Sequence, residues 1–206
     1  MNKWHYLLST LPHDPIILEA GTHTGYHTQK IASTWPQGHI HAFEPVPEIY
    51  HELQKRIANF NNITTYNLAL SNSNGIASCF ISGGASTSCS SLLRPQKCLI
   101  ERPDITFEKT ISVPTTTLDS WAQYYSIKQI DFLWLDMQGM ELSVLTHGKH
   151  IIATTKVIYT EINTTERYTH NTYAHEMHTF LTNNGFHLIH VYLTHISWGN
   201  ALYSRI

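Results

Sequence analysis

The run from Ile16 to Pro45, IILEAGTHTGYHTQKIASTWPQGHIHAFEP, leaves this chain few ways to fold. Ile16-Ile17-Leu18 is apolar without alternation, as in a strand buried on both faces of a parallel sheet. Gly21 and Gly25 bracket a turn, where glycine permits positive φ and lets a ligand approach the backbone. The spacing predicts a helix from about Thr24 to Trp35, with free N–H groups at its start pointing at whatever lies over the turn. A second strand is expected from His39 to Phe43, ending in Glu44 and stopped by Pro45, which cannot donate to a ladder. An acid at that place, ~20 residues beyond a glycine turn, is positioned to accept hydrogen bonds from ribose hydroxyls. The stretch reads as an adenosine-binding βαβ half.

The turn discriminates among adenosine cofactors. A dinucleotide site uses G-x-G-x-x-G, because the pyrophosphate needs the middle glycine's bare backbone. Glu19-Ala20-Gly21-Thr22-His23-Thr24-Gly25 is instead G-x-x-x-G, and no lysine follows either glycine as a P-loop requires. With neither phosphate cradle present, a cofactor without phosphates fits better, and S-adenosyl-L-methionine meets that description. The order E-x-G-x-x-x-G then A-F-E-P resembles class I methyltransferases and, within them, the FkbM family. Glu19, Gly21, Thr22, His23, Gly25, Glu44 and Pro45 are then the expected cofactor contacts. A lone G-x-x-x-G is also an ordinary βα turn; Glu44-Pro45 sets this one apart.

The chain has 206 residues, enough for one domain over 1–206 with a sizeable core. A hydrophobic content of 42% with only 14% charged residues implies a globular protein with a polar, uncharged surface. The net charge of −2 gives no strong nucleic-acid signal. Cys79, Cys89 and Cys98 are odd in number and lack C-x-x-C spacing, so reduced thiols are expected, not a disulfide frame or a zinc site. No long apolar run and no basic-then-apolar leader is present, so a cytoplasmic protein without a membrane span is expected. Histidine is abundant at 15 residues, but His175 and His178 miss the zincin spacing because Thr179 stands in the second position. No metal is expected.

Along the chain, a helical turn over Tyr6 to Leu11 is broken by Pro12 and Pro15. Ile49, Leu53, Ile57 and Phe60 form one stripe of a helix from Pro47 to Phe60. Ile63 to Leu70 reads as the third strand, and Ala69, Leu70 and Ser71 at its carboxyl end are expected to flank an adenine. Gly75 to Ile81 reads as a short strand. Ser82 to Thr110 reads as a long loop, a lid or substrate-facing insertion over the cofactor. A short strand from Ile111 to Val113 precedes a helix capped by Thr117. Ile130 to Asp136 is a near-continuous apolar run ending in an acid, the shape of a central parallel strand. A helix from Met140 to His147 closed by Gly148, a strand from Lys156 to Ile162 and a helix from Tyr173 to Asn184 follow. Phe186–Leu193 and Ala201–Ile206 read as an antiparallel pair. The alternation predicts an α/β, Rossmann-like, doubly wound and mostly parallel sheet with an antiparallel C-terminal strand.

A second block strengthens the resemblance. Ile130 to Glu141, IDFLWLDMQGME, resembles the FkbM strand that ends in D-x-E-G-x-E, and Thr117-Leu118-Asp119 resembles its TLD lead-in. Tyr168 and Asn184-Gly185-Phe186 resemble its C-terminal portion, so the resemblance runs from Ile16 to about Leu188. One departure is chemical: Gln138 stands where the family carries Glu, and a neutral amide cannot take a proton. The resemblance implies O-methylation of a hydroxyl on a small molecule or saccharide. Transfer to nitrogen or to RNA stays open, because the acceptor side depends on residues Ser82 to Thr110.

Methyl transfer to oxygen is an in-line displacement, which requires the hydroxyl to be held about 3–3.5 Å from the methyl carbon while its proton is removed. Asp136 is expected as base or substrate orienter beside the cofactor. Glu141 is expected as orienter or partner of the cofactor amino group, Glu161 as the second carboxylate of the cleft, and His23 as a methionine contact or the base. Structural roles compete: a strand-end Asp often caps the next helix, and Glu141 suits a helix N-terminus. Two other readings use the same fold. An NAD(P)-linked oxidoreductase is disfavoured by the missing middle glycine, and a non-catalytic cofactor-binding domain for partner interaction is favoured only by Gln138.

Overall fold

A computed structural model describes residues 2–205. The N-terminal half runs α1 (Lys3–Thr10), β1 (Ile16–Ala20), α2 (Tyr26–Thr34), β2 (His39–Phe43), α3 (Pro47–Ile57), β3 (Ile63–Tyr66), β4 (Ala69–Leu70) and β5 (Gly75–Gly84). It continues with α4 (Cys98–Glu101), β6 (Ile105–Thr116), α5 (Leu118–Tyr124), β7 (Phe132–Leu135), α6 (Glu141–Thr146) and α7 (Lys149–Thr154). The chain closes with β8 (Val157–Asn163), α8 (Ala174–Asn183), β9 (His187–Leu193) and β10 (Trp198–Ser204). Ile206, the last residue of the expected terminal strand, lies outside the described residues.

The main sheet has seven strands in the order β3-β2-β1-β7-β8-β10-β9. The first five are parallel, and β10 runs antiparallel between β8 and β9. The order reverses between β1 and β7, which opens a crevice at their carboxyl ends. This is the doubly wound sheet with an antiparallel C-terminal strand that the alternation of elements predicts.

Period-2 alternation along each strand divides the core between the two faces. Leu18, Ala20, Leu133, Leu135 and Ile158 pack with Trp121 of α5 and Met177 of α8 on one face. Ile17, Ile40, Phe132 and Trp134 pack with Leu7 of α1 and Ile31 of α2 on the other. Each fully buried Leu or Ile contributes about 1.5–3 kcal/mol. Local signals start the helices. Pro47 opens α3, with Glu48 in its first turn and Lys55 and Arg56 in its last. Thr117 Oγ1 accepts from the Ser120 N–H at 3.1 Å and caps α5.

Three expectations are corrected. Ile63–Leu70 is not one strand. Asn67 Nδ2 donates to the carbonyls of Glu44 and Pro45 at 2.9 and 3.1 Å, which turns the chain so that Ala69–Leu70 leaves the main sheet. It joins β5 and β6 in a second sheet, order β4-β6-β5. Second, the two ends of Ser82–Thr110 are strand: β5 extends to Gly84 and β6 begins at Ile105, in antiparallel register across the hairpin. The alternating Thr, Glu and Lys of β6 face solvent, so its apolar signal is weak. Third, Gly148 follows the C-cap of α6 with its N–H on the Leu145 carbonyl at 3.0 Å, as expected, but it also starts α7, a helix the sequence does not signal. A Cβ there would meet the Leu118 side chain at 2.5 Å, so the glycine admits the packing of α5.

Candidate active site

The crevice is built from the ends of β1, β2, β7 and β8. Gly21 has φ +82°, and a Cβ on it would lie 1.8 Å from the Asp136 carbonyl oxygen. Only glycine lets the end of β1 approach β7 so closely. The N–H groups of Gly21 and Thr22 donate to the Phe43 carbonyl at 3.1 and 3.2 Å, and the His23 N–H donates to Glu44 Oε2 at 2.9 Å. Glu44 Oε1 accepts from the Val46 N–H at 2.9 Å. Glu44 is buried, and burial pushes its carboxyl up to about 7 against the pull of those two N–H groups.

Glu44 and Pro45 line an apolar slot with Phe43, Leu68, Ala69 and Leu70. Beside it lies a polar cavity of about 410 Å³, walled by Thr22, Arg102, Glu161, Arg167, Trp198 and Asn200. Gly21, His23, Ser88, Asp136 and Gln138 line both and form the neck between them. Asp136, the strand-end acid of β7, therefore borders both chambers.

Behind the neck, Gln138 Nε2 donates to Asp136 Oδ1 at 2.7 Å and to Glu161 Oε2 at 2.8 Å. The Tyr168 hydroxyl lies 3.0 Å from Gln138 Oε1 and 2.9 Å from the Cys89 carbonyl, and its one hydrogen serves either acceptor. Burial, then the charges of Asp136 and Glu141, hold the Glu161 carboxyl well above the ordinary carboxylate range. Arg167 Nη1, 3.3 Å from Glu161 Oε1, pulls the other way. That guanidinium is also held by Glu101 Oε2 at 3.0 Å, and its share does not offset burial beside two carboxylates. His23 Nε2 sits 2.8 Å from Thr87 Oγ1, and burial followed by the charge of Arg56 lowers its pKa.

Four expected site residues are placed elsewhere. Glu141 is fully buried, with its oxygens on the N–H groups of Met137 at 2.6 Å and Gly139 at 3.0 Å. It holds the turn after β7 and borders neither chamber. Gly25, φ +83°, starts α2, where a Cβ would strike Leu53 of α3; it serves helix packing. Ser71 turns away from the slot, its N–H on the Thr116 carbonyl and its hydroxyl toward Asn72. Glu19 is buried on the α2 side of β1, with Oε2 unpartnered and its carboxyl pushed up to about 8, chiefly by burial. Thr22 is buried with its hydroxyl on the Phe43 carbonyl at 3.2 Å.

The sequence reading missed Arg167, Trp198 and Asn200. Asn200 stands opposite Glu161 in the β8–β10 register, so only that pairing reveals it. Among the described residues no group of three or more His, Cys, Asp or Glu is arranged to hold a metal ion. No helix among them is long and apolar enough to cross a membrane.

Comparison with known proteins places the chain in a family and a fold. The methyltransferase FkbM domain matches residues 19–188. The 2-O-methyltransferase NoeI of Sinorhizobium fredii is 29% identical over 160 residues, an overlap covering 75% of this chain and 66% of that protein. The fold resembles the Methanococcus jannaschii fibrillarin pre-rRNA processing protein, with TM-score 0.57 and 14% identity over 94% of this chain and 67% of that one. It also resembles Aeropyrum pernix fibrillarin with natively bound S-adenosyl-L-methionine, with TM-score 0.52 and 16% identity over 98% and 74%. A SAM-dependent methyltransferase from Aquifex aeolicus gives TM-score 0.51 and 10% identity over 98% and 89%. Glu19, Gly21, Glu44, Asp136 and Glu161 all fall inside the matched span, and the chain belongs to the FkbM family of methyltransferases.

Proposed function

We propose that the chain moves a methyl group from S-adenosyl-L-methionine to a hydroxyl of a small polyhydroxylated acceptor, a saccharide by preference. The observation that carries this reading is the neck: Asp136 borders an apolar slot on one side and a polar cavity on the other. The slot suits adenosine. Phe43 and Leu70 offer apolar faces, Glu44 presents an acid for ribose hydroxyls, and the turn lacks a phosphate cradle.

When bound, S-adenosyl-L-methionine supplies an electrophilic methyl group on a sulfonium. The protein's own groups do the rest. Glu44 holds the ribose side, anchored to the turn through His23. Asp136 is the proton acceptor for the attacking hydroxyl, with Oδ1 fixed by Gln138. Glu161, held by Gln138 and Arg167, orients the acceptor side of the cavity. His23 shapes the neck through Thr87.

The acceptor side supports a neutral polyol. Both arginines of the polar cavity are committed to carboxylates, Arg167 to Glu101 and Glu161, and Arg102 to Asp104 at 2.8 Å. Trp198, with the Arg167 guanidinium over its ring at 4.0 Å and the His195 ring stacked on it at 4.4 Å, adds an aromatic edge to the cavity wall. The NoeI relative is a 2-O-methyltransferase, which points the same way.

The test is calorimetry with S-adenosylhomocysteine, followed by radiolabelled methyl transfer to a panel of methyl glycosides and to RNA. Binding on the order of micromolar, weakened in Glu44→Ala, and label on a glycoside are expected. No binding at millimolar product removes the reading, and label on RNA alone replaces the acceptor.

A further inference from the structure

We propose that Gln138 is the positioning residue of the neck: its single amide nitrogen ties the Asp136 and Glu161 carboxyls together and so holds Asp136 in place as the proton acceptor between the two chambers. An amide NH2 has two hydrogens, and here each has its own carboxyl oxygen, at 2.7 and 2.8 Å. The Tyr168 hydroxyl on Oε1 sets which end of the amide faces the acids. A glutamate at this position would bring a third carboxyl between two others. Ionised, it would donate nothing; protonated, it would serve only one of its neighbours. Glutamine alone satisfies both.

The backbone bears the cost of holding it. Gln138 has φ +54°, a region a non-glycine residue occupies only when its surroundings over-determine it. The Ser91 hydroxyl donates to the Gln138 carbonyl at 3.0 Å, and Glu141 holds the N–H groups on either side. Strain of this kind at a residue joining two acids, between two chambers, is what a positioning role requires.

The charged and titratable groups around the pair come from every packed element. Arg167 and Glu101 face Glu161, and Glu141 lies behind the turn. Tyr168 covers the amide. Lys3, Glu19, His23, His27 and Tyr159 sense the Asp136 charge from α1, β1, the glycine turn, α2 and β8. None of them is within hydrogen-bond reach of both acids, as Gln138 is.

The proposal rests on the methyl-transfer reading for its kinetics but not for its titration. The side-chain carboxyls of Asp136 and Glu161 are followed by carbon NMR from about pH 4 to 9 in the wild type, Gln138→Met, Gln138→Glu and Tyr168→Phe. Losing the donor in Gln138→Met should raise the Asp136 midpoint by about one unit or more, because the ionised form loses a hydrogen bond. Gln138→Glu should raise it further and add a third coupled titration. Tyr168→Phe, the mildest change, should give a smaller shift of the same sign. The acid limb of the kcat/KM profile with S-adenosylmethionine and a methyl glycoside should move with the Asp136 midpoint. Midpoints unmoved in Gln138→Met and Tyr168→Phe overturn the proposal. Shifted midpoints without turnover on any acceptor leave the bridge standing and remove the function instead.

Discussion

The backbone N–H of His23 reaches Glu44 Oε2 at 2.9 Å, so the turn after β1 and the acid after β2 form one unit. With Val46 on the other oxygen, both carboxyl oxygens are fixed while the group borders the slot.

This unit makes cofactor affinity depend on pH. Burial raises the Glu44 carboxyl to about 7, so it is mostly protonated below that pH and ionised above it. Ribose hydroxyls donate best to the ionised form, by about 1.5–3 kcal/mol per charged hydrogen bond. S-adenosylhomocysteine should therefore bind best above pH 7 and weaken by up to about tenfold per unit below it. Glu44→Gln should bind more weakly with a flat profile. Calorimetry from about pH 6 to 8 checks this; a flat wild-type profile argues against a ribose-holding carboxylate.

Gly21 and Gly185 separate clash from strain. Both have positive φ, +82° and +81°, but a Cβ on Gly185 meets nothing within 4 Å, whereas on Gly21 it meets the Asp136 carbonyl oxygen. Gly185→Ala should cost only the left-handed penalty, about 1–2 kcal/mol. Gly21→Ala adds a backbone collision that nothing flexible can relieve, and should cost about 3–5 kcal/mol in urea unfolding. Equal losses would mean that β1 and β7 part easily at this point.

The sequence made legible those parts of the site that are tied to backbone landmarks. Gly21, Glu44 and Asp136 sit at a turn and two strand ends, and the strand–turn–helix pattern alone locates such positions. Glu141 is open between two roles in the sequence because an acid in a first helical turn looks the same whether it faces a cleft or its own preceding turn. Here it takes the N–H groups of Met137 and Gly139. Arg167 and Asn200 were invisible because each reaches Glu161 through tertiary packing or strand register. Within the β5–β6 hairpin, Gly75–Ile81 and Ile111–Val113 are legible as strands, but Ser82–Gly84 and Ile105–Thr110 are not, because the exposed positions of β6 carry Thr, Glu and Lys and strand identity there comes from pairing rather than from apolar alternation.

Glu141 should behave as a brace. Truncation in Glu141→Ala leaves the Met137 and Gly139 N–H groups buried without acceptors, at about 1–3 kcal/mol each. Stability should fall by about 2–5 kcal/mol, measured by urea unfolding. Turnover should fall because Gln138 loses its frame, while S-adenosylhomocysteine affinity in the folded fraction stays within about threefold, a difference of under 1 kcal/mol. Loss of affinity with stability intact would return Glu141 to the cofactor.

Glu19 gives a stability signal that ligand binding does not confuse. Its carboxyl is buried with Oε2 unpartnered, and burial, reinforced by the Asp136 charge, raises it from 4.5 to about 8. Between those values the folded protein keeps a proton that the unfolded chain releases. The folded state therefore binds more protons, and stability falls as pH rises through this window. The buried histidines oppose it: His41 is lowered to about 4, so acid below 6.5 favours the unfolded chain. Glu19→Gln removes the first effect and keeps the second. The stability of the wild type relative to this variant should fall by about 1.4 kcal/mol per unit between roughly pH 5.5 and 7.5. Urea unfolding at both ends of that range measures it. Parallel curves for the two proteins would mean that Glu19 is ionised in the fold, with a compensating partner.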